Sequence, residues 1–421
     1  MNVASPTGLP RLLAGLRGDR DPEPLRSHVD RYGPVDTFRG QDLLRLLESS
    51  GLTGRGGAGF PTGSKLRTVA ATRQRAVVLA NGAEADPTSG KDRALLRSVP
   101  HLVLDGAVLA ADALGAKEVF VAVGERALRE RSALDRALTE RAHNGTDAGT
   151  AIRVVPVPTG FVTGEETAVV QFVNGGPPKP TFTPPRPFER GIGGAPTLVL
   201  NVETFAHVAL IARFGSDWFR NVGTSREPGS KLATITGAVR RPGVHELALG
   251  TALAQVIEAA GGLTGPVSAF LVGGYFGTWL RPETVLDLRF LDDDLSPLGA
   301  SLGACALVAL PASTCALGEV SRVARYLSRE SAGQCGPCVN GLGAIADGLE
   351  RLAAGLDDDR AHLARWVDVV RGRGACKHPD GATQFVSSAL DVFADEVRTH
   401  LRYGRCRAET AGVLPVPRAD G

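Results

Sequence analysis

The chain has 421 residues, 43% hydrophobic and 22% charged, with a formal net charge of +2. This composition excludes a disordered chain, and the near-neutral balance gives no electrostatic case for a nucleic-acid or membrane-surface partner. The length predicts about two to three domains.

The first stretch, MNVASPTGLPRLLAGLRGDRD, has no apolar core followed by a cleavage site, so no secretory signal is expected. No run reaches the roughly 18 apolar residues of a membrane span. The chain is accordingly expected in the cytoplasm. Residues 1–45 read as a loosely packed leader. Residues 40–52 have helical apolar spacing through Leu43, Leu44, Leu46 and Leu47. A glycine-rich loop follows. Strands are then predicted at 76–84, 118–124 and 151–158, alternating with helical stretches, the first of them broken near Pro100. Strands alternating with helices predict a parallel sheet with helices on its faces, an α/β domain over 46–223. After a linker at 224–231 come a β-hairpin, a helix and a returning strand, a β-grasp-like module over 229–300. From about 305 to 405 the pattern is of short amphipathic helices, a small bundle.

The loop GLTGRGGAGFPTGSKL, residues 51–66, has glycine at 51, 54, 56, 57, 59 and 63, flanked by Arg55 and Lys65. Glycine admits positive φ and close backbone approach, and the cations suit a phosphate or pyrophosphate. Gly54, Gly56 and Gly59 match the dinucleotide fingerprint formally, but that motif follows a strand and this one follows a helix. A phosphate-binding P-loop fails as well, because the order here is Gly63-Ser64-Lys65. The residues alone therefore indicate a ligand loop of no standard type.

The six cysteines all lie in the last third of the chain, at 305, 315, 335, 338, 376 and 406. That skew points to a C-terminal unit with its own chemistry and argues against a disulfide framework. Cys335 and Cys338 form a Cys-x-x-Cys turn. A redox dithiol does not suit a helical bundle. Spacing alone leaves zinc, held with Cys376 and His378, level with an iron–sulfur centre.

The segment GRGGAGFPTGSK resembles the signature loop of the flavin-carrying subunit of respiratory NADH dehydrogenase, and of the related flavoprotein subunits of NAD-dependent hydrogenases and formate dehydrogenases. NGAEADPTSGKDR (81–93), GFVTGEETAVV (160–170) and PPRPFERGIGGAPTLVLNVETF (184–205) are similar to further family segments in the same order. The likeness covers roughly residues 40–400. It implies an FMN domain, a β-grasp-like module of SLBB type and a helical iron–sulfur bundle. It also implies transfer of electrons from NADH through FMN to an iron–sulfur cluster. By this resemblance Gly54, Arg55, Gly56, Lys65, Asn81, Glu84, Gly164, Glu165 and Asn201 surround the FMN. Phe60 stacks on adenine, and Glu166 and Asp86 lie near the nicotinamide. Cys335, Cys338 and Cys376 match the second, third and fourth cluster ligands, and Ala332 stands at the first. Such a site suits a [3Fe–4S] cluster, or a [4Fe–4S] cluster with a non-cysteine ligand. His378 is the first candidate for the open position and Cys315 an outside one. Cys305 and Cys406 are read as ordinary apolar or surface cysteines.

The chain departs from the family pattern at Ala83, Asp86, Phe161, Arg186, Leu200 and Thr68. Arg186 and Thr68 remove rings from the adenine clamp, so FMN binding is expected to be more secure than NADH binding. The implied partner is a separate ferredoxin or thioredoxin-like [2Fe–2S] subunit, in a larger complex peripheral to a membrane and without membrane insertion of its own. Two rival readings stand beside this one. The first is an NAD-independent flavoprotein exchanging electrons with ferredoxin. The second is a scaffold that has lost its cofactors.

Overall fold

The computed structural model describes residues 8–16, 21–34, 40–72, 74–147, 149–356, 360–406, 408 and 412–417. It divides into two compact units. The first gathers the chain up to Ala85, Gly90–Leu232 and Glu246–Gly250; the second gathers Asp86–Ser89, Ala233–His245 and Thr251 onward.

The first unit opens with helices α1 (Leu25–Tyr32), α2 (Gly40–Ser50) and α3 (Thr62–Ala71). Strand β1 (Val77–Gly82), helices α4 (Lys91–Ser98) and α5 (Pro100–Leu114), strand β2 (Glu118–Gly124), helix α6 (Leu128–His143) and strand β3 (Ala151–Val157) follow. Helix α7 (Glu166–Val173), strand β4 (Thr197–Asn201) and helix α8 (Val202–Arg220) complete the unit's main elements. The four strands are ordered β3-β2-β1-β4 and all pair in parallel. Val78, Leu79 and Ala80 of β1 are fully buried, as a parallel strand covered on both faces requires. The chain winds outward from β1 to β3 and then returns to the other side of β1 for β4. The sheet thus has a topological switch point between β1 and β4, the place where open α/β sheets bind ligands beyond their strand ends.

Pro100 ends α4 and starts α5, and the two helices bend by 95° there. No single helix among the described residues is long and apolar enough to cross a membrane. Helix α5 packs on α8 through Gly106, where a Cβ would lie 1.8 Å from the Phe205 carbonyl oxygen.

The leader differs from its expectation, because its described residues are anchored. Glu246 accepts the amides of Arg11 and Leu12 at 2.7 and 2.8 Å, and Leu12 is wholly buried. His28 of α1 meets Asp105 of α5 at 2.7 Å. Asp105 also accepts from Arg141 at 2.7 Å and from Arg213. Burial alone would raise the Asp105 carboxyl, but His28, Arg141 and Arg213 outweigh it and hold it far below the carboxylate range. Its stabilisation is therefore present above the unfolded pKa of about 3.9 and is lost as pH falls below it. Asp105→Asn is expected to cost about 3–5 kcal/mol at pH 7, since Arg213 loses its carboxylate and Arg141 keeps only Asp147, and the cost should shrink toward pH 3 in urea titrations.

The rest of the chain, most of it in the second unit, carries strands β5 (Ser230–Gly237) and β6 (Gly243–Ala248), helix α9 (Leu253–Ala259), strands β7 (Val267–Val272) and β8 (Thr278–Leu280), helices α10 (Pro282–Leu286) and α11 (Asp292–Leu295), and strand β9 (Ala306–Pro311). The five strands are ordered β6-β5-β9-β7-β8. Residues 306–311, expected within the helical region, are the central strand of this sheet, parallel to β5 and antiparallel to β7. An apolar run as short as ALVALP has no decisive period, and its sheet partners settle its state. Helices α12 (Ala316–Arg329), α13 (Leu342–Ala353), α14 (Arg360–Val370), α15 (His378–Val392) and α16 (Ala394–Tyr403) follow as expected.

Candidate functional site

In the first unit, Asn81 of β1 lies beside Asn201, which ends β4, and the two are register partners at the switch point. Asn201 caps α8 by accepting from the Glu203 amide at 2.9 Å. Its Nδ2 donates to the Asn81 carbonyl at 3.3 Å and to Asp92 Oδ2 at 2.6 Å. Asn81 Nδ2 donates to the Gly164 carbonyl at 2.8 Å. These contacts join the 81–85 loop, the 160–165 loop and the start of α8.

The glycine loop closes against this floor. Its ends are tied by the Gly54 amide to the Phe60 carbonyl at 2.8 Å and by the Thr62 amide to the Leu52 carbonyl at 2.9 Å. Gly57 and Gly59 have φ of 101° and 62°, which a side chain would strain. A Cβ on Gly56 would sit 3.3 Å from Asn201 Cβ, so the loop lies directly over the strand ends. Helix α3 begins at once, with no side-chain cap and no acidic residue in its first turn. Among the described residues, Thr62 Oγ1 is buried there without a hydrogen-bond partner. An uncapped helix start behind a glycine loop is a donor set that fits a phosphate. Lys65, one turn in, pairs with Glu166 at 2.7 Å and brings α3 to the start of α7.

Several predicted residues take other positions. Arg55 is 1% exposed and turned inward, donating to Thr53 Oγ1 at 2.8 Å, while its amide donates to Thr204 Oγ1 at 2.9 Å. It anchors the loop's base, and its charge is not at the loop's face. Gly164 is needed for a close approach within the protein, since a Cβ would lie 2.3 Å from the Ala83 carbonyl oxygen. Glu165 caps α7, accepting from the Thr167 and Ala168 amides at 2.9 and 3.1 Å. Burial raises its carboxyl above the ordinary range despite these donors. Glu84 accepts from the Asp92 and Arg93 amides, both at 3.2 Å, at the start of α4. Asp86, expected beside the nicotinamide, has both carboxylate oxygens engaged: Oδ1 accepts from Thr88 Oγ1 at 2.6 Å and Oδ2 from the Tyr275 amide at 2.7 Å. A carboxylate so held fixes a loop. Phe60 is 56% exposed and open to a flat partner.

The support beneath the two asparagines went unread in the sequence. Buried Lys91 pairs with Asp92 at 2.7 Å and with Glu203 at 2.9 Å. Glu203, wholly buried, also accepts from the Leu232 amide at 2.8 Å. Burial pushes the Asp92 carboxyl up to about 6, with Lys91 opposing. The only sequence signal was the Lys-Asp pair at the end of the 81–93 segment.

In the second unit, the turn after α12 and the π-helical turn Pro337–Gly341 bring Cys335 and Cys338 together, and Cys376 precedes α15. Burial pushes the Cys338 thiol up to about 12, with the sulfurs of Cys335 and Cys376 adding to the rise. Burial would raise Cys335 also, but backbone donors from Ala375 and Cys338 bring it below its ordinary value. Sulfurs gathered in this way, with amide N–H groups aimed at them, fit thiolate ligation of an iron–sulfur cluster. Ala332 is buried and brings no ligand. His378 donates from Nε2 to the Leu327 carbonyl, 2.7 Å away, and its ring packs edge-on against Phe276. In the neutral ring that bond makes Nδ1 the lone-pair nitrogen, the atom a metal would use. Cys315, the outside candidate, neighbours His400 Nε2 at 3.5 Å instead.

The family model of the Nuo51 FMN-binding domain matches residues 47–210. That of the SLBB domain matches 232–274, and that of the NADH-ubiquinone oxidoreductase-F iron–sulfur binding region matches 312–400. An F subunit of the NADH-quinone oxidoreductase of Rhizobium meliloti is 32% identical over 418 residues, covering 96% of this chain and 97% of the relative. The chain belongs to the family of NADH-quinone oxidoreductase F subunits. The family member of Mycobacterium tuberculosis is 33% identical over 387 residues, covering 88% of this chain and 87% of its own length. Among solved structures, an NAD+-reducing [NiFe]-hydrogenase in its air-oxidized state is similar with a TM-score of 0.81 and 28% identity, over 97% of this chain and 69% of that one. The H2-reduced form matches with a TM-score of 0.77 at 30% identity, over 86% of this chain and 63% of the hydrogenase chain.

This member of the family is thus an NADH dehydrogenase-like flavin and iron–sulfur oxidoreductase. Three positions read above as departures from the family pattern fall at defined places. Leu200 is buried in β4 and Phe161 is buried in the 160–165 loop. Thr68 is exposed on α3 and donates to the Ser64 carbonyl at 2.9 Å.

Proposed function

We propose that the crevice beyond β1 and β4 binds FMN and accepts NADH, and that Cys335, Cys338 and Cys376 hold the iron–sulfur cluster that receives the electrons. The observation that carries this reading is the pairing of Asn81 with Asn201 at the switch point, directly beneath the glycine loop. The loop amides and the start of α3 bind the phosphate, with Lys65 adding charge. Asn81 faces the ring edge and the ribityl chain, and Asn201, its own polar atoms engaged within the protein, fixes the floor beneath them. Glu166, held by Lys65, orients the nicotinamide end, and exposed Phe60 stacks on the adenine. FMN held there would supply the conversion of the two-electron reducing equivalent of NADH into single electrons for the cluster. The relatives are themselves subunits, and the acceptor proposed here is a separate ferredoxin or [2Fe–2S] subunit in a larger assembly.

The test is an anaerobic preparation assayed for flavin, iron and sulfide, then titrated with NADH. Flavin absorbance is expected to bleach at low NADH. Flavin that NADH leaves oxidised, but reduced ferredoxin bleaches, would favour the NAD-independent reading. In Phe60→Ala the KM for NADH should rise about 2- to 12-fold at unchanged flavin content, the loss of about 0.5–1.5 kcal/mol of aromatic packing.

A further inference from the structure

Cys406, read from the sequence as an ordinary cysteine, lies in a cluster that the iron–sulfur site does not use. The ligand atoms of Cys315, Glu396, His400 and Cys406 all lie within 4.8 Å of one another. Cys315 is the N-cap of α12. Glu396 and His400 stand one turn apart on α16, so they share a face. Gly404, in the left-handed conformation with φ of 73°, ends α16 and turns the chain so that Cys406 comes back to it.

The geometry points to a second metal site: we propose that Cys315, Cys406, His400 and Glu396 bind one zinc ion that fastens the C-terminal segment to the bundle. A tetrahedral zinc with ligand bonds of about 2.0–2.3 Å places its ligand atoms roughly 3.3–3.8 Å apart. Cys315 Sγ lies 3.5 Å from His400 Nε2, and Glu396 Oε1 lies 3.7 Å from the same nitrogen. His400 is buried, and its Nδ1 donates to the Ala353 carbonyl at 2.6 Å. That bond selects the tautomer whose Nε2 lone pair faces the two sulfurs, the outer-shell arrangement usual for zinc-bound histidine. Glu396 is oriented likewise, since its Oε1 accepts the Leu317 amide at 2.9 Å. Two thiol protons leave to solvent as the two zinc–sulfur bonds form. Beyond Cys406 the chain is held on the same helix, because Glu319 of α12 accepts the Leu414 amide at 2.7 Å and Leu414 is fully buried. None of the four ligands takes part in the flavin crevice or the cluster site described above.

The experiment is elemental analysis and zinc K-edge absorption on the full chain grown with zinc and iron, with Cys315→Ser, Cys406→Ser and Cys335→Ser as variants. The expected result is roughly one zinc per chain with two sulfur and two lighter ligands. It should fall at least tenfold in Cys315→Ser and Cys406→Ser, remain in Cys335→Ser, and the first two variants should leave flavin and acid-labile sulfide unchanged. Zinc with three sulfur ligands that Cys335→Ser removes would overturn the proposal, and so would a zinc-free protein or a Cys315–Cys406 disulfide found by alkylation and mass spectrometry. The absorption measurement on the unmodified chain decides the matter even where a variant fails to fold.

Discussion

Cys376→Ser should lose its iron and acid-labile sulfide while keeping its FMN, and NADH should still bleach the flavin in a single anaerobic turnover. The reason is that the flavin residues belong to the first unit and Cys376 to the second. Turnover with an external one-electron acceptor of the cluster should fall by orders of magnitude, because two thiolates cannot retain the cluster. Ala332→Cys is the complementary change. It places a thiol where the resemblance puts the first ligand, at a buried site in the turn before Cys335. Iron should rise from about three to about four per chain if the native cluster is [3Fe–4S], and the oxidised-state EPR signal of that cluster should vanish. Unchanged iron content and spectra in Ala332→Cys would show that a non-cysteine ligand already completes a four-iron cluster.

Lys91→Met is expected to cost about 3–5 kcal/mol. Lys91 is 3% exposed and neutralises two buried carboxylates, Asp92 and Glu203. Removing it leaves both uncompensated in a low-dielectric interior. The carboxylates can relieve this by protonation, and the sign follows. Asp92 already has a folded pKa of about 6, above its unfolded value of about 3.9. A raised acid favours the folded state below the unfolded pKa and loses that contribution as pH rises through the folded one. Without Lys91 the Asp92 pKa rises further, so the deficit of the variant should be larger at pH 8 than at pH 5.5. Differential scanning calorimetry at the two pH values reads this directly. A deficit independent of pH would mean that the ion pairs contribute little. Lys91→Met/Glu203→Gln should recover part of the loss, because only one buried carboxylate then lacks its partner.

Flavin affinity should fall in the same variant. Asp92 receives Asn201 Nδ2 at 2.6 Å, and Lys91 Nζ lies 3.3 Å from Asn201 Oδ1. The asparagine at the switch point is therefore aimed by the ion pairs below it. This makes Lys91 and Glu203 positioning residues for the crevice, and their effect on flavin dissociation should exceed that of an equally destabilising change elsewhere, such as Asp105→Asn.

Much of this molecule was determined locally. The apolar runs of β1, β2 and β3, alternating with amphipathic helices, specify a parallel sheet because their periods and lengths are properties of short windows. Pro100 breaks its helix wherever it is placed. The glycines of the 51–63 loop and the Cys335–Cys338 turn announce ligand chemistry because few other residue types permit those conformations or bonds. What the tertiary structure alone decided is the direction and company of individual side chains. Arg55 points into the protein because Thr53, Thr204 and the Pro228 carbonyl await it there. Asp86 holds the Tyr275 amide, and residues 306–311 become a central strand because β5 and β7 flank them. Cys315 meets Cys406 because α16 and its left-handed cap carry the chain back across the bundle. Nearly all of these contacts join residues far apart in sequence. Their free energy comes from burial and hydrogen bonding after the chain has closed, which no local pattern of residue types encodes.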